Sequence, residues 1–148
     1  MCAGVTALVI PAVARAHTDA GRQLSFSWPV AGTLTSPFGR DGYRWHPGLD
    51  IGILRSLTVR AASPGRVVRA GYVPGYEGYG NVVVLDLGGR YTTLYAHLAR
   101  PLVQVGQHLG RGERVGVAGC TGWCTGTHLH FELRYRNRAV NPTLLFAG

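Results

Sequence analysis

From Trp28 onward, short runs of alternating apolar and polar residues are separated by clusters of glycine and proline. The runs GRVVRAGY, NVVVLDL, RYTTLYAHL, ERVGVAG and HLHFELRYR are rich in Val, Leu, Tyr and Thr, the residue types of pleated, half-buried strands. Turn signals lie between them: SPG at 63–65, PGYEGYG at 74–80, GG at 88–89 and GRG at 110–112. No long window carries a helical period of 3.6. The pattern predicts one mostly β domain of short antiparallel strands over residues 28–148. Arg66-Val67-Val68-Arg69-Ala70-Gly71 echoes Arg114-Val115-Gly116-Val117-Ala118-Gly119 at four of six positions. Two similar hairpins suffice to produce that echo, and no repeat array follows from it.

The pattern before Trp28 is different. Cys2 to Ala14 is an uncharged apolar stretch, too short to span a bilayer as a helix. It ends in Ala14-Arg15-Ala16, a small-residue pattern suited to cleavage before His17. Residues 1–16 are therefore expected to be a secretory leader, although a basic start is missing, and 17–27 a polar linker. A buried N-terminal segment is the alternative.

Composition narrows the function. The 148 residues are 46% hydrophobic and 15% charged, enough apolar content for a core and too much for disorder. All 15 cations are Arg; with 7 acids the formal net charge is +8. A chain without Lys has no Schiff-base lysine, P-loop lysine or biotinyl carrier lysine. The positive surplus implies an anionic partner or surroundings. A basic nucleic-acid-binding domain fits poorly, because the aromatics are scattered and an export leader contradicts it.

Six histidines carry the candidate chemistry. In His128-Leu129-His130-Phe131-Glu132-Leu133, strict alternation puts Leu129, Phe131 and Leu133 on the core side of a half-buried strand. His128 and His130 then share the other face, about 7 Å apart along the strand. Glu132 lies on that face too and is expected to be an exposed strand residue, the alternative being an outer partner of the site histidines. In Trp45-His46-Pro47-Gly48-Leu49-Asp50-Ile51, His46 and Asp50 share one face if the segment is extended. Imidazole and carboxylate together suit zinc. His97 closes the alternating run Leu94-Tyr95-Ala96-His97. Cys120 and Cys124, in AGCTGWCTG, are a disulfide candidate in an exported protein, or two reduced thiols. A Cys120, Cys124, His128 and His130 zinc tetrad is disfavoured by spacing, since structural sites separate their pairs by a dozen residues or so.

Taken together, SPFGR, WHPGLDI, ASPGRVVRAGY, YGNVVVLDL, LYAHL and TGTHLHFEL…NPTLL resemble the lysostaphin-type, or LytM-domain, zinc metallopeptidases. The resemblance runs from about Thr35 to Leu145 and includes His-x-x-x-Asp, a middle His and His-x-His in order. It implies a β-sandwich-like domain built on a duplicated hybrid motif with a site groove. It implies one zinc ion on His46, Asp50 and His130, with His97 and His128 as catalytic residues of undecided division of labour. Hydrolysis of peptidoglycan stem or cross-bridge peptides follows, by an exported monomer of the cell envelope, periplasm or exterior, held near anionic wall polymers. The alternative is a non-catalytic wall-binding or amidase-activating module. Tyr95, two residues before His97, is expected to contact substrate. The loop Cys124-Thr125-Gly126-Thr127 departs from the Ser-Thr-Gly-Pro usual in that family.

Overall fold

A computed structural model describes Leu24 and residues 26–146. The expected leader, 1–16, lies outside the described residues. So does most of the expected linker, 17–27, but its end belongs to the domain. Leu24 and Phe26 pack against the core, and Ser27 N donates to Ala62 O at 2.8 Å.

The strands are antiparallel throughout, as the period-two pattern requires. In chain order they are β1 (Thr33–Ser36), β2 (Gly39–Asp41), β3 (Arg44–His46), β4 (Leu49–Gly52), β5 (Thr58–Arg60) and β6 (Gly65–Tyr72). After them come β7 (Asn81–Gly88), β8 (Tyr91–Pro101), β9 (His108–Leu109), β10 (Arg114–Ala118), β11 (Leu129–Tyr135) and β12 (Arg138–Val140). One ten-stranded sheet runs β1-β4-β11-β8-β7-β6-β9, with β12 beside β11 and β5 beside β10. The pair β2–β3 is a separate hairpin. Among described residues, the remaining regular structure is two 3-10 turns, Glu77–Tyr79 and Pro142–Leu145.

β8 is longer than the short runs foresee, and it is shared. Its first part pairs with β7 and β11, while Leu98, Arg100 and Pro101 pair with β10. That switch lets β5 and β10 contribute Val59, Val115 and Ala118 to the same core as Leu49, Val83, Leu85, Tyr95 and Phe131. Burying each large apolar side chain contributes roughly 1.5–3 kcal/mol. The opposite face of the central strands holds a smaller cluster of Val82, Val84, Leu94 and Ala96, under Val73, Tyr76 and Tyr79. β11 is thus buried on both faces rather than half-buried.

Candidate metal centre

Register explains which side chains meet. On β11, His130 stands opposite Ala96 of β8 and Asp50 of β4, and Phe131 stands opposite Tyr95. Directly opposed residues project to the same side of a sheet. His130, Asp50 and Ala96 therefore share one face, and Phe131 and Tyr95 the other. His46 joins from the end of β3, and Pro47-Gly48 turns the chain into β4, so the segment is not continuously extended. Gly48 is required by close approach: a Cβ there would sit 2.4 Å from Phe131 O and 2.9 Å from His130 Nε2.

Simple alternation would put His97 with Tyr95, away from His130. A bulge prevents this. Asn81 pairs with Leu98 and Val83 with Tyr95, so one residue of β7 faces two of β8, Ala96 and His97. His97 takes φ +57°, and its ring lies 4.7 Å from that of His128 and 6.0 Å from that of His130. The expectation for Tyr95 is corrected accordingly. Its side chain is fully buried, its ring packs 5.3 Å from Phe131, and its hydroxyl accepts from Ala62 N at 2.8 Å.

His46 Nε2, Asp50 Oδ1 and His130 Nδ1 converge. The separations are 3.2 Å for His46–Asp50, 3.2 Å for His46–His130 and 2.8 Å for His130–Asp50. Donor atoms about 2.0–2.2 Å from a tetrahedral cation stand about 3.3–3.6 Å apart, so this triangle needs little opening to hold zinc. Among the described residues it is the only cluster of three His, Cys, Asp or Glu side chains of that kind. The site draws positive charge to its centre. Burial works against the His130 imidazolium, yet hydrogen bonds to Asp50 and Glu132 push its pKa up to about 9. Burial also opposes ionisation of Asp50, but His130, His46 and His128 hold its carboxyl below the ordinary carboxylate value.

Four imidazoles are each held by one ring nitrogen. His46 Nδ1 donates to Pro37 O at 2.7 Å, His97 Nδ1 to Thr121 O at 2.8 Å and His128 Nδ1 to Gly126 O at 2.7 Å. His130 Nε2 donates to Glu132 Oε1 at 2.9 Å. In the neutral ring the opposite nitrogen carries a lone pair that can serve as ligand or base; in His130 that nitrogen is Nδ1, which meets Asp50 Oδ1 and must give up its proton to a metal ion. Burial is the main reason that His97 lies below the ordinary histidine value.

Glu132 is not the exposed strand residue expected. It is fully buried, and besides His130 it accepts from Tyr79 Oη at 2.7 Å and Arg134 Nε at 2.6 Å. Burial opposes its charge, but these donors hold it ionised. Burial and the Glu132 carboxylate push the Tyr79 hydroxyl up to about 12. Sequence reasoning missed Tyr79 and Arg134. Arg134 was visible in principle, since 130, 132 and 134 share one face of β11; Tyr79 gave no signal within its turn.

The cluster floors an open groove of about 550 Å³ whose walls include the exposed Trp45 and Trp123. Cys120 and Cys124 are placed as a disulfide, Cα–Cα 5.3 Å, on one wall. With the sulfurs joined to each other, the four-ligand Cys/His arrangement does not form.

The antiparallel β-domain thus carries a His-Asp-His triangle suited to a metal ion, with two further histidines beside it. The profile of Peptidase family M23 matches residues 44–142, and the chain belongs to that family. Peptidoglycan DD-endopeptidase ShyA of Vibrio cholerae is 43% identical over 96 residues, 65% of this chain and 22% of that protein. Murein hydrolase activator NlpD of Escherichia coli is 34% identical over 118 residues, 80% of this chain and 30% of that protein. A crystal structure of a zinc-containing peptidase from Vibrio cholerae superposes with TM-score 0.68 at 32% identity, over 84% of this chain and 40% of that one. The chain spans less than a third of the length of either curated relative.

Proposed function

We propose that this domain is a zinc-dependent endopeptidase acting on peptide bonds of bacterial peptidoglycan in the cell envelope. One observation carries the reading: His46, Asp50 and His130 converge as a ligand triangle, and His97 and His128, each held at Nδ1, line the same open groove, with His128 Nε2 3.7 Å from Asp50 Oδ1. His46 Nε2, Asp50 Oδ1 and His130 Nδ1 would hold the ion. Bound zinc supplies Lewis acidity, polarising a peptide carbonyl and acidifying a water molecule.

The protein's own groups supply the proton transfers. His97, kept neutral by burial and held by Thr121 O, accepts the proton of the attacking water at Nε2. His128, held by Gly126 O, stabilises the developing oxyanion or returns a proton to the leaving amine. Glu132 accepts from His130 Nε2 and so leaves Nδ1 as the nitrogen that can turn to the metal. Trp45 and Trp123 give the groove apolar walls for a peptide backbone.

The similarity to NlpD favours a second reading, a non-catalytic domain that activates a separate wall hydrolase. Purified peptidoglycan digested with the zinc-loaded protein and with His128→Ala, followed by mass spectrometry, separates the two. New peptide termini with wild type alone are expected. No new termini from any of several peptidoglycans would overturn the hydrolase reading.

A further inference from the structure

The segment Cys120–Cys124 contains the carbonyl that holds His97, at Thr121, and leads into the loop whose Gly126 O holds His128; the chemistry above assigns no task to the Thr121 hydroxyl or to the disulfide. The segment begins one residue after Gly119, which is bridged to His128, and the loop that follows it supplies Gly126 O. Its second residue, Thr121, makes three polar ties. The backbone oxygen accepts from His97 Nδ1 at 2.8 Å. The hydroxyl donates to Leu98 O at 2.7 Å, next to His97, and accepts from Asn81 N at 3.0 Å at the start of β7. Gly122 and Gly80 then let two backbones meet: a Cβ on Gly122 would lie 2.4 Å from Gly80 N, and Trp123 N donates to Gly78 O at 2.9 Å.

We propose that Thr121, clamped in the loop closed by Cys120 and Cys124, is a positioning residue that fixes the tautomer and ring orientation of His97. His97 needs such a device more than an ordinary strand residue does. It sits on a bulge at positive φ, where the neighbouring ladder does not dictate the direction of its side chain. The carbonyl of Thr121 selects the Nδ1–H tautomer and aims Nε2 at the groove. The hydroxyl holds that carbonyl against β7 and β8, and the disulfide keeps the loop from swinging away with Trp123, whose side chain is 87% exposed. The inference rests on His97 being a proton-transfer residue, as read above.

The test uses the whole chain with Thr121→Val, Thr121→Ser and the double change Cys120→Ser, Cys124→Ser. Zinc content, kcat and KM on a soluble peptidoglycan peptide are measured, with 15N spectra of the histidine rings. Thr121→Val and the double serine variant should lower kcat about 10- to 100-fold, the usual cost of an outer orienting partner. KM and zinc content should hold, and His97 should pass from a single Nδ1–H tautomer to an averaged one. Thr121→Ser, which keeps the hydroxyl, should restore most of the kcat lost in Thr121→Val. An unchanged His97 tautomer in Thr121→Val overturns the proposal, whatever the activity. Absence of turnover in wild type sinks the hydrolase reading instead, and the ring spectra still decide the role of Thr121. Should the double variant fail to fold, Thr121→Val decides alone.

Discussion

Replacing Glu132 by Gln keeps the shape of the side chain and removes its charge, which isolates what the carboxylate does. Its two oxygens now serve three donors: Oε1 accepts from His130 Nε2 and Tyr79 Oη, and Oε2 accepts from Arg134 Nε. A glutamine has only one such oxygen. If its NH2 replaces Oε2, it faces Arg134 Nε–H, donor against donor, and Arg134 loses its counter-charge. If it replaces Oε1, His130 escapes the clash only by giving up its Nε2 proton, which leaves the ring protonated at Nδ1, the atom in the ligand triangle. Breaking one partner of a buried ion pair costs about 3–5 kcal/mol. Arg134 keeps weak donor contacts to Tyr76 Oη at 3.5 Å and Tyr79 Oη at 3.4 Å, so about 2–4 kcal/mol is expected. Zinc affinity should fall about 10- to 100-fold through the weakened hold on His130. Urea unfolding of the metal-free protein reads the first quantity, and competition with a chromophoric chelator reads the second. Stability within about 0.5 kcal/mol of wild type together with an unchanged zinc Kd would refute the assignment, since that is the range of an ordinary surface substitution.

The remaining expectations are simpler. Tyr95→Phe removes a hydroxyl that accepts from Ala62 N deep in the core, so it should cost about 1–3 kcal/mol in a thermal or urea melt and leave kcat/KM unchanged; a raised KM with normal stability would return Tyr95 to the substrate. His130→Ala should abolish zinc retention and turnover together, whereas His128→Ala should keep most of the zinc and lose turnover; metal analysis of both variants tells whether the pair is rightly divided. A base must be neutral, and burial holds His97 below the ordinary histidine value of about 6.5, so the acid limb of kcat should lie below that pH. A limb centred above pH 7 on a soluble peptide would exclude His97. Sedimentation with wall fragments should weaken from low salt to about 0.5 M, where the +8 charge is screened, while turnover of small uncharged peptides holds steady; salt-independent sedimentation would remove the electrostatic account.

The family resemblance named His46, Asp50 and His130, and these three converge in the fold; the two-residue repeat by itself put His128 and His130 on one face without choosing between them. The same repeat misplaced Glu132. Alternation tells that Glu132 shares a face with His130, but not that a segment around Tyr76 and Tyr79 covers that face. Tyr79 Oη reaches Glu132 across 53 residues of sequence, and no local pattern encodes such a contact. The turn cluster PGYEGYG announced a loop there; which of its side chains would fold back over β11 depends on packing between distant strands. The apparent linker failed for a related reason. Phe26 stands among polar neighbours in the sequence, yet its ring meets Phe146, at the other end of the described chain, with centroids 6.1 Å apart.

His97 shows why a site of this kind strains the rule that built the core. One strand, β8, must deliver Tyr95 to the core and His97 to the groove, two residues apart, and a regular strand sends both to the same side. Only an extra residue in the ladder reverses the parity. The bulge at Ala96–His97 does so, leaving His97 at φ +57° without being glycine, a conformation that costs about 1–2 kcal/mol. Glycine would remove that cost and also the imidazole. The strain therefore stands at a buried imidazole, beside a hydrogen bond from His97 Nδ1 to Thr121 O that only an imidazole in this orientation makes. His97→Gly separates the two demands: the folded state should lose little stability, the backbone relief offsetting the lost packing and hydrogen bond, while turnover disappears. A large loss of stability would mean that the ring is kept for the core and that the bulge has another cause.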